Sequence, residues 1–237
     1  MKTFSILLLV LLVACKPNTT NLTVDSADVP VTNAPQEEVT DNFPVDSISL
    51  EEFRMADSVS VISPFTSVVD DSTRVFPDSL KIVFKLNNGA DSVLVNEWEE
   101  NGDGGTVFHY VQSCKDIDYW LVFISYYEGS EYLLMDKDNG NKIFVWGPPV
   151  VSPDKTHFIT YSCDIEAGYD YNGIQLFEIK EGKAELKWQK EINTWGPDEV
   201  RWKDDNTLYI KKYSIDYSGG NSVQKYTYGT VKVSDLR

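Results

Sequence analysis

The sequence predicts an all-β body of antiparallel meander repeats, propeller-like, with three to four blades or an open blade stack; a twisted β-sandwich is the alternative. Three observations carry this. After residue 76 the chain runs in short stretches of Val, Ile, Tyr, Phe and Trp separated by clusters of Asn, Gly, Asp and Pro, the alternation of strands and turns. No long amphipathic helix is present, and sequence features recur at intervals of 40 to 50 residues.

The amino terminus comes first. A basic start at Lys2 is followed by an apolar run of ten residues, Phe4 to Val13, broken only by Ser5, and then Ala14. A spanning helix needs about 20 residues, so residues 1–14 are expected to be a signal peptide that is removed. Leu12-Val13-Ala14-Cys15 resembles the lipobox of bacterial lipoproteins. That resemblance implies cleavage before Cys15, diacylglycerol on its thiol and an acyl chain on the new amino group, enough lipid for stable anchoring. Lys16 follows in place of the aspartate associated with inner-membrane retention, which favours the outer membrane of a bacterial envelope; the leaflet stays open.

Residues 15–76 are rich in Thr, Ser, Asp, Pro and Asn, with no sustained apolar period. Such a segment buries too little apolar area to offset its ordering entropy and is expected to be a tether. Within it, Ser49-Leu50-Glu51-Glu52 has the spacing of a capping box and predicts a short helix over residues 50 to 57. Asp-Ser followed by an apolar residue or Thr occurs six times, at Ser26, Ser47, Ser58, Ser72, Ser79 and Ser92, where composition predicts about one match. The pattern resembles an O-glycosylation sequon of one phylum of Gram-negative bacteria, and sugar there would extend and shield a stalk. A plain acidic linker is the alternative reading.

Strands are expected at Lys81 to Leu86, Ser92 to Trp98, Thr106 to Ser113, Tyr119 to Tyr126, Glu131 to Lys137 and Lys142 to Trp146. Further strands are expected at Thr156 to Ser162, Gly173 to Lys180, Ala184 to Trp188, Glu199 to Trp202, Thr207 to Tyr213 and Lys225 to Val233. Trp146-Gly147-Pro148 recurs 49 residues on as Trp195-Gly196-Pro197, and Ser113-Cys114 recurs at the same interval as Ser162-Cys163. The hairpin Glu131 to Trp146 aligns without gaps on Gly173 to Trp188 at an offset of 42, so a loop insertion separates the two offsets. A period of this length holding about four strands is that of propeller blades. Val151-Ser152-Pro153-Asp154 to Tyr161 resembles the Ser-Pro-Asp blade motif of TolB-like β-propellers, with a degenerate copy at Val200 to Ile210. The resemblance spans roughly residues 106 to 233 and implies a protein-docking surface without assigning any residue to it. A closed ring needs at least four blades, and beside three repeats the two leading strands within Leu80 to Trp98 are the segment left to complete one; an open stack or a twisted sandwich is equally open.

Composition excludes some functions. Removal of the leader with Lys2 leaves 20 basic and 37 acidic residues, a formal charge of −17, which disfavours nucleic acid and anionic head groups. Cations or a basic protein suit such a surface. Cys114 and Cys163 remain after lipidation, either as a disulfide or as two separate thiols. His109 and His157 sit inside strand patterns without metal-ligand spacing, and no nucleophile elbow, phosphate loop or zinc motif is present. No cofactor or metal is expected. Asp136-Lys137-Asp138-Asn139-Gly140 places its glycine fifth, where a calcium loop needs it sixth, so a hairpin turn is expected. The acidic loop Glu99 to Gly105 reads as a connection able to hold a cation. Tyr126, Tyr127, Tyr169, Tyr171, Tyr213 and Tyr217 fall near strand ends, where exposed rings stack on sugars or anchor a protein interface. The sequence thus points to a non-catalytic interaction lipoprotein with a protein partner in the envelope. A glycan-binding lipoprotein and an immunity or inhibitor lipoprotein are the rivals.

Overall fold

The computed structural model describes residues 43–57, 63–65, 68–98, 104–218 and 220–236. Cys15, Ser26, Ser58 and most of the acidic loop after Trp98 lie outside these residues. Among the described residues the body is all-β, with four antiparallel sheets of meander strands.

The first elements are β1 (Asp46–Ser47) and α1 (Leu50–Phe53). Sheet I holds β2 (Val75–Pro77), β3 (Lys81–Lys85) and β4 (Asp91–Val95). Sheet II runs in order through β5 (Glu97–Trp98), β6 (Gly105–Cys114), β7 (Tyr119–Tyr126), β8 (Gly129–Asp136) and β9 (Lys142–Val145). Sheet III holds β10 (Val150–Val151), β11 (His157–Ser162), β12 (Gly173–Lys180) and β13 (Lys183–Glu191). Sheet IV is β14 (Gly196–Asp204), β15 (Thr207–Asp216) and β16 (Val223–Lys232), and β1 returns from the amino-terminal side to pair with β16.

The sheets stack serially through three cores. In β7 the apolar run is continuous because both faces are covered. Trp120, Val122 and Ile124 meet Ile82, Phe84 and Leu94 of sheet I. Tyr119, Leu121 and Phe123 of the same strand meet Phe158 and Phe177 of sheet III, whose rings stack at 4.7 Å. A third core joins Ile159, Ile174 and Leu176 of sheet III to Val200, Leu208 and Ile210 of sheet IV. Each fully buried side chain of this size contributes roughly 1.5–3 kcal/mol.

Polar groups on large rings fix how neighbouring layers meet. Trp120 Nε1 donates to Asp71 at 2.9 Å, Ala184 N–H donates to Tyr119 OH at 3.1 Å, and Trp202 Nε1 donates to the Val150 carbonyl at 2.8 Å. Buried Gln175 accepts from Trp146 N–H and Thr160 Oγ1 and donates to Gln189, leaving no orphaned amide.

The far face of sheet IV is covered by α1. Phe53 and Ala56 pack on Tyr209, whose hydroxyl donates to Glu52 at 2.9 Å, and Arg201 lies over the Phe53 ring at 4.4 Å. Ser49 Oγ accepts from Glu52 N–H as the capping box requires, but the helix ends at Phe53, shorter than 50 to 57. A helix on an end sheet serves as the cap of a repeat array. No core cluster joins sheet I to sheet IV among the described residues, so the architecture is an open stack.

Two expectations need correction. The compact unit already includes Phe43, so the boundary at 76 is too late. Phe43 sits in the third core against Trp188 and Trp195 with ring centroids at 5.5 and 5.6 Å. Val45 occupies the space left by Gly229, where an added Cβ would lie 2.1 Å from Val45 Cγ1. This stretch is too polar to fold by itself, and docks on an edge and a core supplied by the other end of the chain.

The 49-residue offset is also mixed. Trp146-Gly147-Pro148 lies just ahead of β10 and Trp195-Gly196-Pro197 runs into β14, but counted back from the closing strand of each sheet Cys114 ends the fourth strand, β6, while Cys163 follows the third, β11. The cysteine match is a coincidence of spacing, and both thiols are free. Cys114 is buried with Val111 and Ile117, whereas Cys163 packs its sulfur against Gly196. The 42-residue alignment, by contrast, superposes the last two strands of successive sheets, β8 and β9 on β12 and β13. The insertion is the loop of residues 163–172, which stands where sheet II has only Tyr127-Glu128.

The Ser-Pro-Asp segment forms the β10–β11 turn. Asp154 accepts from Ser152 Oγ and from Thr156 N–H, and in the degenerate copy Asp204 accepts from Asn206 N–H. Asp136 plays the same part at the β8–β9 turn, accepting from Asp138 N–H with Gly140 at φ 75°, a hairpin and not a calcium loop.

Candidate functional site

The insertion in sheet III creates a concave surface. Loop 163–172 stands beside the two-residue β7–β8 turn of sheet II, and between them opens a cleft of about 480 Å³. Its aromatic wall is Tyr126, Tyr169 and Tyr171, exposed to 42, 64 and 43%. Its acidic groups are Glu128, Glu131, Asp170 and Glu191.

The loop is held by its own carboxylate. Asp164 accepts backbone N–H bonds from Ala167, Tyr169 and Asp170 at 3.1, 2.7 and 2.7 Å. Burial alone would raise the Asp164 pKa, but these amide bonds outweigh it and hold the carboxyl below its usual range. Asn172 fastens the loop's far end, donating to the carbonyls of Ile192 and Trp195. The Tyr213 hydroxyl donates to Glu166 on the same loop.

Asp170 joins the two walls. Its carboxylate accepts Ser130 N–H at 2.5 Å and Ser130 Oγ at 2.7 Å. The approach requires glycine at 129, where φ is 142° and an added Cβ would lie 3.2 Å from the Tyr169 carbonyl. Behind the wall, Tyr171 stacks on buried Trp146 at 4.9 Å and 17°.

The electrostatics are one-sided. No Lys or Arg lines the cleft, and none of its four carboxylates pairs with a cation among the described residues. Burial, with the Asp170 charge adding to it, raises the Glu131 pKa despite the hydrogen bond donated by Tyr126 OH at 3.1 Å. Burial and that same Glu131 push the Tyr126 phenol up to about 12. A second hollow continues the surface past Tyr126 to Trp98 and Tyr127, which are 64 and 71% exposed.

Of the tyrosines singled out in the sequence, the fold gathers Tyr126, Tyr127, Tyr169 and Tyr171 on one surface. Tyr213 is buried against Tyr226, and Tyr217 stands exposed beyond the end of β15. The four cleft carboxylates were not foreseen, because 37 acidic residues carry no mark of which ones converge.

The other candidates disperse. Ser47, Ser72 and Ser79 are exposed and Ser92 is half-buried in β4; Asp78 ahead of Ser79 accepts backbone bonds from Leu80 and Lys81. His109 contacts the rings of Phe65 and Phe123, and burial lowers its pKa. His157 opens β11 beside Thr156 of the β10–β11 turn. Among the described residues no three His, Cys, Asp or Glu side chains are grouped to hold a metal ion.

No protein-family model, curated protein or solved structure matches the chain.

Proposed function

We propose that the chain is a lipid-anchored, non-catalytic interaction module of a bacterial envelope, which docks a protein partner at the tyrosine-lined cleft. The anchor rests on the lipobox-like Leu12-Val13-Ala14-Cys15. The observation that carries the docking reading is the convergence of exposed rings from two sheets onto one mouth. Tyr126, Tyr169 and Tyr171 stand on segments pinned by Asp164, Asp170 and Asn172, so little ordering entropy opposes binding. Rigid exposed aromatics of this kind are the usual anchors of a protein interface.

The test is capture from gently cross-linked native membranes with the full-length chain, a Cys15→Ala control and a Tyr169→Ala variant. Recovery of one envelope protein, lost with Tyr169→Ala, is expected. Equal recovery by wild type and variant, or turnover of an envelope polymer by the purified chain, would overturn the reading.

The same rings support a second reading, a glycan-binding lipoprotein, in which a sugar ring stacks on Tyr169. Trp146 behind Tyr171 reports occupancy through its fluorescence. A titration with oligosaccharides that leaves the emission unchanged would dismiss it.

A further inference from the structure

Resting on the docking reading, we infer that the cleft selects a positively charged side chain, arginine above all, so that the partner offers a basic segment there. The cleft sets four carboxylates among three exposed phenol rings with no cation between them. Left alone, those carboxylates repel one another, and a neutral ligand would leave that repulsion in place while removing water. A cation relieves it.

The rings narrow the choice. A guanidinium is flat, stacks on an aromatic face and forks two N–H donors toward a carboxylate, whereas an ammonium is a compact, strongly hydrated point charge. Glu131 receives only the Tyr126 hydroxyl, on Oε2, and Oε1 has no protein donor among the described residues. Asp170 is held in place by Ser130 and presents a fixed charge next to it. A divalent metal is the less suited cation, since no trio of ligating side chains is grouped here. The rest of the molecule agrees in sign, with a formal charge of −16 that draws basic partners toward it.

The experiment is calorimetric titration of the full-length chain, in a zwitterionic sugar-free detergent, with a Gly-Arg repeat hexapeptide, its lysine counterpart and its citrulline counterpart, which keeps the shape without the charge. Binding of the arginine peptide is expected, weaker for lysine and weaker by about tenfold or more for citrulline. Glu128→Gln/Glu131→Gln should weaken the arginine peptide by about tenfold or more, while the remote pair Glu51→Gln/Asp205→Asn stays within about twofold. Equal loss in both double variants would mean attraction to the acidic surface at large and overturn the inference. So would binding of chitotetraose with none of the arginine peptide, which would turn the cleft into a sugar site. If no peptide binds but a membrane partner is still captured and lost with Tyr169→Ala, the docking reading stands and the charge selection fails.

Discussion

Gly129 carries a constraint that its place in a two-residue turn does not announce. With φ at 142° and the Tyr169 carbonyl 3.2 Å from where a Cβ would stand, Gly129→Ala strains the backbone and pushes Asp170 away from Ser130. A loss of about 1–3 kcal/mol in urea unfolding is expected, with weaker ligand binding by calorimetry. Asp164 gives a pH signature. Its folded pKa lies below the ordinary value of 3.8, so its contribution is fully present above that value and disappears as pH falls through the lower, folded one. The protection of the Tyr169 and Asp170 amides, relative to their intrinsic exchange at each pH, should therefore fall only below about pH 4, and Asp164→Asn should remove most of that dependence. Glu131 runs the other way for a cationic ligand. Its raised pKa, with Asp170, Glu128 and Glu191 around it, makes affinity climb with pH through a range above that of an ordinary glutamate.

At the scale of elements, the amino-terminal docking of β1 and α1 makes the sharpest claim. Phe43→Ala removes a ring held between Trp188 and Trp195 and should cost about 3–5 kcal/mol by urea unfolding; a change under about 0.5 kcal/mol would place residue 43 in the tether instead. The long strands were legible because Tyr119–Tyr126 and Gly173–Lys180 combine β-branched and aromatic residues with clear turn residues at their ends. β1, β2 and β10 were not legible. Two or three residues carry no alternation, and each exists only because an edge already formed accepts it. The cleft was half legible: its tyrosines stand out by type, but its carboxylates come together through sheet stacking, which one sequence does not encode locally.

For the molecule as a whole, 37 acidic residues against 21 basic ones leave uncompensated repulsion in the folded state. Raising NaCl from about 20 to 300 mM should raise the urea midpoint by screening that repulsion. A falling midpoint would show that ion pairs such as Lys183–Asp136 and Lys155–Asp116, each at 2.7 Å, outweigh it. The serial stack also distributes stability as a chain of layer contacts, so the ends respond to perturbation independently of the middle. The return of β1 to the last strand has a mechanical meaning. Any tension transmitted along the chain ahead of residue 43 enters through one aromatic ring and the short pairing of Asp46 and Ser47 with Thr230 and Gly229. With two residues of ladder, those contacts should yield before the long pairings of β6 to β8 do, and release the chain ahead of β2. In the anchored state proposed above, a partner pulled away from the membrane would meet a fuse that lengthens the leash and leaves the tyrosine cleft intact.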